Sequence, residues 1–104
     1  MKIVKVIYSA KPDYVEQNKI NIKAVMNDLE RLAPSGIFYT VCLSSDGKSF
    51  IHTAYFKSDE DQKSLNDLAS FKYFQEQLKS NGLESPPIQE LLTLVNSSRP
   101  IFTD

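Results

Sequence analysis

His52 is the only histidine in 104 residues. It is also the side chain whose ordinary pKa lies closest to neutral pH. A group of that kind can serve as a general base, a role that contributes about 10² to 10⁴-fold to a rate. Facing a phenolic molecule, it would take the hydroxyl proton and leave an electron-rich anion that reacts with dioxygen. Tyr39 is placed to help it. If Asp46-Gly47 forms a hairpin loop, residues whose numbers sum to 93 lie opposite each other, and Tyr39 falls on the same face as His52, one strand over and diagonal to it. The competing reading makes His52 a buried, hydrogen-bonded core residue on a face that packs against helices, and the apolar composition of that face favours it.

Other candidates are weaker. Cys42 has no second thiol and no cationic neighbour in sequence to lower its pKa, so it reads as a plain strand cysteine. Asp59-Glu60-Asp61 lacks the alternating oxygens, glycine and distal glutamate of a calcium loop, and a helix start explains it. A zinc site built on histidine and cysteine has too few ligands. Three scattered glycines make no phosphate-cradling loop. No cofactor and no metal are therefore expected. Phe71 and Phe74 read as core at helical spacing, with Tyr73 facing solvent.

The elements that would hold these groups are legible. Residues 2 to 10 form a strand with Val4, Val6 and Tyr8 on one face and Ile3 and Ile7 on the other, apolar on both sides. A helix starts at Pro12 and carries Tyr14, Asn18, Ile22, Val25, Leu29 and Leu32 at intervals of three or four; five of these six are apolar. Pro34-Ser35-Gly36 ends it. The hairpin follows, with Asp46-Gly47 predicted as a type I′ turn. Its first face carries Ile37, Tyr39, Val41, Leu43, Phe50, His52, Ala54 and Phe56. Its second carries Phe38, Thr40, Cys42, Ser44, Ser49, Ile51, Thr53 and Tyr55. Ser58 caps a second helix, which continues through Leu65, Leu68, Phe71, Phe74 and Leu78 and can restart near Ser70. Asn81-Gly82 closes it, with a left-handed glycine predicted there. Residues 88 to 96 read as a last strand, and the tail from Ser97 as irregular.

Strand, helix, strand, strand, helix, strand is the ferredoxin-like order. The predicted fold is α+β, a four-stranded antiparallel sheet with two helices on one face. The chain reads as one domain over 1–104, with its core at 2–96 and a tail at 97–104. Phe38, Ile51 and Tyr55 would leave an apolar patch on the helix-free face, which a second copy of the sheet would cover. Charge narrows the partners. Twelve Lys and Arg against thirteen Asp and Glu give a net charge of -1, no footprint for nucleic acid or an anionic membrane. A single cysteine and the absence of a long apolar run point to a cytoplasmic protein. An RNA recognition module fits the element order but not the third strand, Lys48 to Tyr55, which lacks its glycine and second aromatic. Ser9-Ala10-Lys11-Pro12 lacks the arginine and phosphate loop of acylphosphatase chemistry. An amino-acid-sensing domain would ordinarily be fused to an enzyme.

With this element order, Tyr14 in the first helical turn, Phe50-Ile51-His52 on the third strand and Phe71 and Phe74 on the second helix, the chain resembles the dimeric α+β barrel superfamily. Its nearest-looking branch is the antibiotic biosynthesis monooxygenase-like group. The resemblance covers roughly residues 2 to 96. It implies a homodimer in which two sheets face each other around a cavity. Members include cofactor-independent oxygenases of polycyclic phenols, haem-degrading enzymes and proteins of no known function. Haem degraders use an asparagine on the first strand, a tryptophan and a histidine on the second helix. This chain has no tryptophan, no asparagine on its first strand, and its histidine on the third, so the haem reading falls. The resemblance thus implies a cofactor-free oxygenase or isomerase acting on a small aromatic or apolar molecule, with His52 as base and Tyr39 as companion. The alternative is a non-catalytic ligand-binding or structural dimer.

Overall fold

The computed structural model describes residues 1–102. Its strands are β1 (Lys2–Ser9), β2 (Ile37–Leu43), β3 (Ser49–Phe56) and β4 (Ile88–Leu92). They form one antiparallel sheet in the order β2-β3-β1-β4. The helices are α1 (Val15–Leu32), α2 (Asp59–Asp67) and α3 (Ala69–Gln77). The fold is the α+β, ferredoxin-like arrangement, with the second helix divided in two. The division falls at Leu68, whose backbone is extended (φ -67, ψ 125) between the two helical runs.

The register places the chemistry. Val41 lies opposite His52 and Tyr39 opposite Ala54, as the numbers summing to 93 require. On the other side of β3, β1 sets Tyr8 opposite Phe50 and Val6 opposite His52. Strand side chains alternate between faces. Tyr8, Phe50, His52, Ala54 and Phe56 therefore share one face, and all are buried. They pack with Val15 and Val25 from α1, Leu65 from α2 and Phe71 and Phe74 from α3.

The hairpin keeps this register with a different loop. Ser44 N–H donates to the Ser49 carbonyl at 2.8 Å, and Gly47 N–H to the Ser44 carbonyl at 3.0 Å. Gly47 has φ +77, whereas Asp46 has no positive φ. A type I′ turn needs both, so the loop is a longer turn closed by one left-handed glycine. The Asp46 carboxylate holds it, accepting from the backbone N–H groups of Lys48 (2.9 Å) and Ser49 (2.8 Å).

A three-residue 3₁₀ turn, Pro12–Tyr14, leads into α1. The helix stops at Ala33, in the left-handed region at φ 47, with its N–H on the Leu29 carbonyl. Leu32 is exposed rather than part of the buried stripe. At the start of α2, Ser58 and Asp61 form a reciprocal capping box. After α3 the chain widens into one π turn, Leu78–Gly82. Gly82 is not left-handed as the sequence suggested; a β-carbon there would collide with the Tyr14 ring. β1 ends at Ser9, with Ala10 held by a bridge to Leu83. β4 ends at Leu92 rather than residue 96, and its five residues are all exposed. Residues 93–102 form no helix or strand, and residues 103 and 104 of the predicted tail lie outside the described ones.

Candidate functional site

A cavity of about 860 Å³ lies between the sheet and the second helical region. Its sheet wall is Val4, Val6, Tyr8, Tyr39, His52 and Ala54, and its helix wall is Leu65, Phe71, Phe74 and Leu78. The rim is polar, with Gln62, Asn66, Gln75, Lys79 and Glu84. An apolar chamber with a few convergent polar groups is the usual form of a small-molecule site.

The sequence leaves open which face His52 occupies. A cavity-lining His52 and a helix-packed one stand there as alternatives, the cavity implied by the resemblance lying between the sheets of two copies. His52 is on the helix-packed face, and the cavity is on that face too. The two helical segments stand far enough from the strand to leave the chamber beside the histidine.

The polar groups form one chain. Asn18 Nδ2 donates to the Tyr8 hydroxyl at 2.8 Å. The Tyr8 hydroxyl lies 2.7 Å from His52 Nε2. His52 Nδ1 lies 2.5 Å from the Tyr39 hydroxyl. Each imidazole nitrogen thus has a tyrosine partner. The Phe74 ring lies against the imidazole, centroids 5.4 Å apart, and Phe71 meets Tyr39 edge-on.

Burial sets the protonation. His52 is 5% exposed, and removal from water disfavours its charged form, pushing its pKa down to about 4. Burial likewise raises the Tyr8 hydroxyl well above the usual phenol value, against the lowering effect of Asn18, with Tyr14 adding to the rise. Tyr39 is raised by burial and then by Tyr8. At neutral pH the chain is uncharged from end to end.

Tyr39 and His52, the two residues singled out from sequence, are in contact. Tyr8 and Asn18 were not singled out. The signal for Tyr8 was its place on the Val4-Val6 face; for Asn18, it was the one polar member of the helical stripe. Phe71 and Phe74 are core residues and also line the cavity, while Tyr73 is exposed. Cys42 is exposed and is not part of the chamber's lining. Among the described residues no group of three His, Cys, Asp or Glu side chains is disposed to hold a metal ion, and no helix is long and apolar enough to cross a membrane.

The fold is that of the antibiotic biosynthesis monooxygenase-like proteins. A candidate antibiotic biosynthesis monooxygenase from Nitrosomonas europaea superposes with a TM-score of 0.79 at 16% identity, over 92% of this chain and 100% of that one. A Mycobacterium tuberculosis protein gives 0.78 at 15% identity, over 94% and 98%. A further candidate monooxygenase, from Caulobacter crescentus, gives 0.74 at 15%, over 91% and 90%. At such identities the likeness is one of fold. No protein-family model matches the sequence, and no curated protein matches it.

Proposed function

We propose that the chamber binds a small aromatic or apolar molecule and that the protein acts on it as a cofactor-independent, monooxygenase-like enzyme. The observation that carries this reading is the Tyr8–His52–Tyr39 row on the wall of an otherwise apolar cavity. His52 is the base. Both of its nitrogens are occupied, so a substrate proton reaches it through the Tyr8 hydroxyl, which passes its own proton to Nε2 as it takes one from the phenol. The resulting anion gives up electrons to dioxygen. For a phenol oxidised to a quinone, one oxygen atom enters the ring and the other leaves as water with the two hydrogens lost. The low pKa of His52 makes it a weak base, and the anion formed beside it supplies the compensating charge.

The Mycobacterium, Nitrosomonas and Caulobacter likenesses support the fold half of this reading, and the two candidate monooxygenases suggest the reaction class. The exposed apolar face, with Phe38, Ile88 and Leu92 uncovered, supports a homodimer joined sheet to sheet. A non-catalytic ligand-binding dimer is the second reading, favoured by the same low His52 pKa.

The test uses 1-naphthol as a probe phenol under ¹⁸O₂. Labelled 1,4-naphthoquinone, falling about 10²-fold or more in His52→Gln with binding retained, supports catalysis. Saturable binding without labelled product supports the second reading instead.

A further inference from the structure

Hydrogen-bond bookkeeping gives the row a direction. A neutral imidazole has one N–H and one lone pair, and a tyrosine hydroxyl has one hydrogen to donate. Asn18 is fully buried, and its Oδ1 has no partner. Exchanging the amide nitrogen and oxygen would strand an NH₂ group in that position instead of a carbonyl oxygen. Orphaned buried N–H groups are the rarer of the two. Nδ2 therefore faces Tyr8 and donates to it. The hydrogen of Tyr8 then has one acceptor within reach, His52 Nε2 at 2.7 Å. That nitrogen must carry the lone pair, so the ring hydrogen sits on Nδ1 and is donated to the Tyr39 oxygen at 2.5 Å. Tyr39 is left with its own O–H. Among the described residues this hydrogen has no acceptor, and Tyr39 lines the cavity.

Resting on the ligand-binding reading above, we infer that the chamber selects molecules presenting a hydrogen-bond acceptor, a ketone or phenolate oxygen, to the Tyr39 hydroxyl, and prefers them to molecules of similar shape whose only polar group is a donor. Asn18 is the positioning residue. It touches no ligand, but it orients Tyr8, hence the imidazole hydrogen, hence the end of the chain that meets the cavity. A donor-only molecule can donate to the remaining lone pair of the Tyr39 oxygen, but it leaves the Tyr39 hydrogen unpaired. The fully apolar analogue leaves it unpaired as well. The row thus reads ligand polarity, while the aromatic walls read only shape.

Three probes of one shape separate these cases: fluorene has no polar group, 9-fluorenone an acceptor only, carbazole a donor only. Fluorenone binds about tenfold tighter than fluorene, the effect of one well-formed hydrogen bond, and carbazole less tightly than fluorenone. Tyr39→Phe brings fluorenone down to the affinity of fluorene. Long-range ¹H–¹⁵N spectra of histidine-labelled protein at neutral pH show the Nδ1–H tautomer, which needs neither ligand nor variant. Equal binding of fluorenone and fluorene, tighter binding of carbazole than fluorenone, or an Nε2–H tautomer each overturns the inference. Failure of all three probes to bind overturns the ligand-binding reading instead, and the spectrum still decides the direction of the chain.

Discussion

The two faces of this sheet differ in what covers them and in what they place at the centre. On the helix side, Phe50, His52, Ala54 and Phe56 are all buried, and a polar chain crosses the middle. On the other side, Ile3, Lys5 and Ile7 run beside Ile51, Thr53 and Tyr55, with Phe38 against Tyr55 and no helix above them. Phe38 is 49% exposed and Ile88 71%. On the covered face the polar groups of Tyr8, His52 and Tyr39 are tied to one another by hydrogen bonds. The open face is mixed, with Lys5, Thr40, Thr53 and Glu90 interleaved among its apolar residues.

Neighbouring residues on β3 test that difference most strongly. Phe50→Ala removes a ring that is 2% exposed and costs about 3 to 5 kcal/mol. Ile51→Ala, one position on and facing the other way, costs about 1 kcal/mol in dilute protein. Urea denaturation at several protein concentrations measures both. A cost for Ile51→Ala that grows with concentration reports a dimer through the open face. Equal and concentration-independent costs would erase the distinction between the faces.

The covered face should also answer to pH, and the open one should not. The His52 pKa is about 4 in the folded chain against 6.5 for the ordinary imidazole. Between these values the unfolded chain binds more protons, so stability rises with pH. The contribution is fully present above pH 6.5 and is lost as pH falls through about 4, amounting to about 3 kcal/mol. Unfolding free energies measured from pH 4 to 7 should show this slope, and His52→Gln should flatten it. A wild-type curve no steeper than that of His52→Gln would mean that the imidazole is not desolvated.

Much of this was readable from the chain because it depends on local periodicity. The element order, the hairpin register and the Tyr39–His52 pairing follow from alternation and one turn. What was not readable depends on tertiary contact. Tyr8 joins the site only because β1 lies beside β3, a pairing between residues more than 40 positions apart. Asn18 reads as a flaw in an apolar stripe until the strand beneath it supplies a hydroxyl. Gly82 reads as a helix stop, yet its position is set by the Tyr14 ring pressed against it. The chamber was not readable because its existence depends on how far α2 and α3 stand from the sheet, which no periodicity encodes.

That stand-off directs the smallest of the expected effects. The capping box at Ser58 and Asp61 anchors the start of α2, and α2 brings Leu65 over the chamber. Ser58→Ala removes the side chain that accepts from Asp61 N–H and costs about 1 kcal/mol. Because α2 is short and separated from α3 by the extended residue Leu68, the loss should be felt locally. Amide exchange in Asp59–Asp67 should quicken about fivefold while that of β1 and β3 is unchanged. Uniform quickening across the sheet would mean that α2 opens only when the whole fold does, and that the chamber is walled as rigidly on its helix side as on its strand side.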